Sequence, residues 1–150
     1  MHAFVIVDVQ AEFPVPREIV ERIRERSAAF PLRVFTQFVN PPGSLFRRKF
    51  NRTLCSPGSP GTRLLIEPGP DDLRFEKSGY GLSPQQIQEL KAHSVTEATV
   101  CGIDTDACVL GVMFSLWDQG IDCHPQPDLC WSSTGLHDAA VKIAKAQFGD

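Results

Sequence analysis

The chain has 150 residues, of which 42% are apolar and 22% charged, and a formal net charge of −3. That length suits one domain with a core large enough to fold without disulfides or metal. The mild acidity argues against a general nucleic-acid binder, and no apolar run approaches the roughly 20 residues of a membrane span.

Ala3–Val9 is a continuous apolar run, as expected of a strand buried on both faces of a parallel sheet. It meets Asp8 with no basic segment before it, so no secretory signal is read and a cytoplasmic setting is expected. From Pro16, Ile19, Val20 and Ile23 recur at helical spacing until Pro31 ends the helix. Leu32–Val39 reads as the second strand. Asn40 to Thr62 is rich in Pro and Gly and reads as a long ordered loop with one helical turn around Leu45–Phe50.

Leu64-Leu65-Ile66 and Leu73-Arg74-Phe75 read as short extended segments, followed by Lys77 and the small-residue loop Ser78–Gly81. Ser83, Pro84 and Gln86 form a helix start with a capping box. Ala98–Ile103 is the central strand, and Ala107–Gln119 a buried helix that Gly120 closes. Ile121-Asp122-Cys123 and Asp128–Trp131 read as two further strands. Ser132-Ser133-Thr134 offers a cap for a last helix, with Leu136, Ala140, Ile143 and Ala144 as its inner stripe.

Strands and helices alternate without repeat or linker. The expected fold is therefore a single three-layer α-β-α domain over residues 1–150, with a mostly parallel, Rossmann-like sheet. In such sheets, sites form at the carboxyl ends of the strands. Asp8, Lys77 and the turn before Cys108 all fall at such ends. Cys108 sits in a helix's first turn, where free N–H groups and the helix dipole favour a thiolate. Asp8 is placed to take and return a proton, and Lys77 to stabilise the anion. Backbone N–H groups at Asp104 and Cys108 could receive an oxyanion.

The five cysteines contain no C-x-x-C pair, and the four histidines (His2, His93, His124 and His137) are scattered and read as surface or structural residues. No acidic residue lies between Glu25 and Glu67, whereas Arg47, Arg48, Lys49, Arg52 and Arg63 do. That basic stretch is a solvated loop, an attractor for an anionic small molecule, or a contact for an acidic partner surface.

Asp8-Val9-Gln10-Ala11-Glu12-Phe13 resembles the D-x-Q-x-x-F opening of the isochorismatase-like cysteine hydrolases, a family that includes nicotinamidases. Phe75-Glu76-Lys77 resembles that family's lysine element, and Gly102 to Val109 is similar to its G-x-x-T-x-x-C-V nucleophile motif. Asp128 through His137 resembles its final segment. The resemblance implies a sheet of about six strands and an Asp8–Lys77–Cys108 triad. It also implies an oxyanion hole at Asp104 and Cys108, preceded by a non-proline cis peptide at Ile103–Asp104. Members of the family that are amidases attack a carboxamide with the thiolate and hydrolyse the thioester. Others cleave a vinyl ether without needing the cysteine.

The chain departs from the family in two respects: it is short, with trimmed segments after Lys77 and at the C-terminus, and it lacks the metal ligands of the nicotinamidases. Those enzymes place an Asp and two histidines beyond the second strand to bind a metal, whereas Thr36–Pro42 is followed by no histidine before His93. The reading is therefore a metal-independent cysteine hydrolase of a small amide or related C–N bond, with no cofactor and with nicotinamide disfavoured as the substrate. The alternatives are a vinyl-ether hydrolase of an isochorismate-like substrate, for which the basic loop speaks, and a binding or assembly module. Phe13, Tyr80 and Trp131 are the pocket candidates, and a homo-oligomer is expected.

Overall fold

A computed structural model describes all 150 residues. Five strands form one parallel sheet in the order β3-β2-β1-β4-β5. They are β1 (His2–Val7), β2 (Leu32–Phe38), β3 (Leu73–Lys77), β4 (Glu97–Ile103) and β5 (Asp122–Trp131). The helices are α1 (Arg17–Ser27), α2 (Leu45–Phe50), α3 (Pro84–Ala92), α4 (Leu110–Trp117) and α5 (His137–Phe148). Ala3 through Val7 are almost wholly inaccessible, because helices cover both faces of the sheet at β1. On one face Phe4 packs on Phe30, just beyond α1; on the other, Cys123 lies against α4 through its contact with the Met113 carbonyl.

The chain runs outward from β1 through β2 to β3, then crosses back to place β4 on the other side of β1. The carboxyl ends of β1 and β4 therefore flank the point where the winding reverses, and connections leaving in opposite directions open a crevice there. Gly102 makes this pair possible. It faces Val7, has a φ of +117°, and a Cβ built on it would lie 2.2 Å from the Val7 carbonyl oxygen.

The two expected strands at 121–123 and 128–131 are one element, β5, so the sheet has five strands rather than about six. Pro125 and Pro127 interrupt the sequence pattern, but β5 is an edge strand whose outer side needs no partner. The register slips between Val100 and Gly102 of β4, which absorbs the irregularity. Leu64 makes only an isolated antiparallel bridge to Gln10 instead of belonging to a strand.

At Ser83 both halves of the capping box form, with Gln86 donating its backbone N–H to Ser83 and accepting from the Ser83 N–H. The helix expected from Ala107 begins instead with a π-turn, Thr105–Val109, before α4. The last helix has no side-chain cap, and its buried face carries Ala140, Ala144 and Phe148 while Leu136 and Ile143 are exposed. No helix is long and apolar enough to cross a membrane.

Candidate active site

Asp8 leaves β1 with a φ of +52°, a left-handed turn that directs its side chain beneath the crevice. The carboxylate is buried, and each of its oxygens accepts a hydrogen bond. Thr36 donates its hydroxyl to Oδ1 at 2.6 Å, and Lys77 donates from Nζ to Oδ2 at 2.8 Å. The Asp8 backbone N–H in turn donates to Thr36 Oγ1 at 3.1 Å. Lys77 reaches inward from the end of β3, where its Nζ also donates to the Gly79 carbonyl at 2.8 Å and lies 5.6 Å from the centre of the Phe38 ring. Only 3% of the Lys77 side chain and 2% of the Asp8 side chain are accessible, so the ion pair is held away from competing water. Burial works against the ammonium of Lys77, yet Asp8 and Cys108 together raise its pKa above the ordinary value.

Cys108 interacts with both partners from the π-turn that follows β4. Burial and the Asp8 carboxylate push its pKa up to about 12, against the opposing pull of Lys77. Burial and Asp8 thus work against the thiolate that its position at a helix start favours, while Lys77 supports it. Desolvation in this cleft is the largest of the opposing effects.

The turn carrying Cys108 is clamped to the segment after β5. Ser133 donates its backbone N–H and its hydroxyl to Asp104, each at 2.9 Å. Ser132 and Thr134 donate their hydroxyls to the two oxygens of Asp106. Burial opposes the charge on Asp106, but those hydroxyls hold its pKa below the ordinary value. Thr105 Oγ1 lies 2.8 Å from His137 Nδ1. Ser132–Thr134 therefore fix the turn after β4 instead of capping α5. The peptide bond between Ile103 and Asp104 is cis.

A cavity of about 340 Å³ opens above this group, with Asp8 and Cys108 on its floor beside Asp104. Phe13, Phe38, Phe46 and Tyr80 form an aromatic wall, with ring centres 6.4, 5.3 and 5.3 Å apart along that series. Phe13 and Tyr80 thus face the cavity. Trp131 does not: it ends β5, paired with Ile103, and packs partly buried against the core. Tyr80 is supported from below by Gly111 of α4, where an added Cβ would lie 2.9 Å from the tyrosine Cβ.

Two residues of the site, Thr36 and Asn40, carried no distinct signal in the sequence, whereas Arg52 belongs to the basic stretch read there. Thr36 looks like any β-branched strand residue until its hydroxyl is seen on Asp8. Asn40 and Arg52 line the cavity from the Pro- and Gly-rich loop. Asn40 organises that loop, donating from Nδ2 to the Arg52 carbonyl at 2.9 Å and accepting from Ser44 at Oδ1. Gln10 does similar work, taking the Phe38 N–H at 2.7 Å and donating to the carbonyls of Phe38 and Thr62. Arg47 holds the loop through the Asn40 and Pro41 carbonyls and Ser56, whereas Arg52 lies over the Phe50 ring at the cavity rim.

The family model for the isochorismatase domain matches residues 2–150. The chain is 35% identical over 69 residues to isochorismatase domain-containing protein 2 of Xenopus laevis, covering 44% of this chain and 34% of that protein. The matched stretch thus spans about a third of the length of such curated relatives. Its fold matches the pyrazinamidase of Pyrococcus horikoshii in complex with zinc, with a TM-score of 0.88 at 19% identity over 98% of this chain and 96% of the other. It also matches the nicotinamidase of Bacillus subtilis, with a TM-score of 0.86 at 18% identity over 99% of this chain and 96% of the other.

The zinc of the pyrazinamidase raises the question of a metal in this cavity. Its lining contains no imidazole, the Asp8 and Asp104 carboxylates are taken by hydrogen bonds, and both ends of the Asn40 amide are occupied. This donor set does not fit a metal there. Family-wide sequence match and shared fold lead to one identification: the chain belongs to the isochorismatase domain family.

Proposed function

We propose that the protein is a cysteine hydrolase of a small amide or related C–N bond, with Asp8, Lys77 and Cys108 as its catalytic residues. The convergence of these three side chains beneath an aromatic-walled cavity carries the reading. Substrate binds against Phe13, Phe38 and Tyr80 with its carbonyl carbon over Cys108 Sγ. As sulfur attacks, the thiol proton passes to Asp8, and the carbonyl oxygen becomes an oxyanion received by the N–H groups of Asp104 and Cys108. A preorganised pair of such donors contributes on the order of 100-fold or more in rate per donor.

Lys77 keeps the pair neutral overall while the proton is in transit. Collapse of the tetrahedral species breaks the C–N bond, and Asp8 returns the proton to the departing amine. Water then adds to the thioester, giving its proton to Asp8, and the thiol is regenerated as the acid leaves. The pyrazinamidase and nicotinamidase that share this fold lend support to amide chemistry.

One observation favours a second reading. Arg52 brings a cation to the rim of the cavity, which suits a carboxylated substrate such as one with a vinyl-ether bond. Turnover of a panel of small amides and anionic vinyl ethers by the native protein and by Cys108→Ala tests both. Amide hydrolysis in the native protein, lowered at least 1,000-fold in the variant, is the expected result; vinyl-ether cleavage that survives the substitution would replace it with the second reading.

A further inference from the structure

At the opposite end of the sheet, three strands bring together His2, Glu97 and His124. His2 opens β1, Glu97 opens β4, and His124 is the third residue of β5. The register aligns them: His2 is paired with Glu97, and Thr99 with His124. Paired residues of a parallel sheet share a face, as do positions two apart on one strand, so His2, Glu97, Thr99 and His124 all project the same way. One potential ligand atom from each of His2, Glu97 and His124 lies within 4.8 Å of the others.

We propose that this triad is a binding site for a divalent transition-metal ion of the zinc type. Zinc bound by imidazole nitrogen and carboxylate oxygen at about 2.1 Å, in tetrahedral geometry, sets its ligand atoms roughly 3.4 Å apart. Here His2 Nδ1 is 3.6 Å from Glu97 Oε1, and His124 Nε2 is 3.2 Å from Glu97 Oε2. The two contacts fall on different carboxylate oxygens, so Glu97 would bridge through both or turn to present one to the ion. His2 Nε2 lies 2.9 Å from Thr99 Oγ1. A proton held on Nε2 by that hydroxyl leaves Nδ1 with a free lone pair aimed at the cluster, which is how ligating histidines are oriented.

Phe30 supports the same ring edge-on, with centres 5.0 Å apart. Asp122 Oδ2, 3.9 Å from His124 Nε2, is near enough to become a fourth ligand or to accept from a bound water. Each ligand sits on a strand rather than a loop, which favours a fixed geometry. The side chains are half-buried, with 31%, 44% and 32% accessible, so an ion can reach them.

The length of β4 separates this cluster from Asp104, about 20 Å at the usual strand rise. An ion here takes no part in the chemistry of the cavity. It would clip β1 to β4 and β5 at their amino ends and stabilise the sheet by linkage.

Equilibrium dialysis of tag-free protein against zinc chloride, with bound metal measured and thermal melting followed in parallel, tests the assignment. The native chain and Cys108→Ala are expected to retain one zinc ion each and to melt higher in its presence. Glu97→Gln and His124→Gln, whose metal-free melting shows them folded, are expected to bind at least tenfold more weakly and to gain no melting shift. Equal retention by native and substituted chains would overturn the proposal, as would no retention by the native chain at ~0.1 mM zinc, where a site of this type is filled.

Discussion

The carboxylate of Asp8 acts on Cys108 in two opposed ways. At rest its charge, together with burial, pushes the thiol pKa up to about 12; in the proposed mechanism it is also the group that would receive the proton during attack. Asp8→Asn separates the two effects. Loss of the negative charge lowers the thiol pKa and frees Lys77 to stabilise sulfur, so alkylation of Cys108 by iodoacetamide at pH 8 should accelerate while amide turnover disappears. Slower alkylation in the variant would mean that Asp8 generates a resting thiolate. In the native protein Cys108 should still label before the other four cysteines, because Cys55, Cys101, Cys123 and Cys130 are buried and Cys108 lines the cavity. Thr36→Val removes the hydroxyl from Asp8 Oδ1. Urea denaturation should register a loss of about 2 kcal/mol, the usual range for a bond to a charged group. Turnover should fall roughly 10- to 100-fold in kcat with KM little changed, because Thr36 positions the base without touching the cavity.

At the scale of elements, the residues that position Asp8 and Cys108 were partly legible. The apolar run ending at Asp8 and the strand–turn–helix around Cys108 placed both at strand ends, and the Ser83–Gln86 pair marked α3 to the residue. Side-chain commitments across the sheet were not. Ser132, Ser133 and Thr134 carry the composition of a helix cap, but their hydroxyls satisfy Asp104 and Asp106 from 26 to 29 residues away. Local pattern does not contain that choice. Likewise, Pro125 and Pro127 divide the sequence of β5 but not the strand, because only its position at the sheet edge makes the missing donors harmless. The pairing of Gly102 with Val7 yields a sharp expectation. Gly102→Ala places a methyl against the Val7 carbonyl at a φ that L-residues avoid. Destabilisation on the order of 4 kcal/mol, or failure to accumulate folded protein, should follow, as measured by thermal melting and soluble yield.

For the whole molecule, topology does the work of assembly. Alternating strands and helices announce a parallel sheet, and the order β3-β2-β1-β4-β5 then places the reversal between β1 and β4. Asp8 arrives there from one strand and Cys108 from the other, while Lys77 crosses from the sheet's far edge beneath Phe38. The aromatic wall comes mainly from connections rather than from the sheet; Asn40 was lost in an irregular loop, and Arg52 was legible only as part of its basic stretch. The central claim is that the sulfur of Cys108 becomes covalently acylated in turnover. Intact-mass spectrometry with peptide mapping, during incubation with a mixed panel of small amides, tests it most directly. The account predicts a transient mass increase equal to the acyl group of the consumed amide, mapped to Cys108 and absent from Cys108→Ala. Amide turnover that proceeds with no adduct on Cys108 and persists in Cys108→Ala would contradict it.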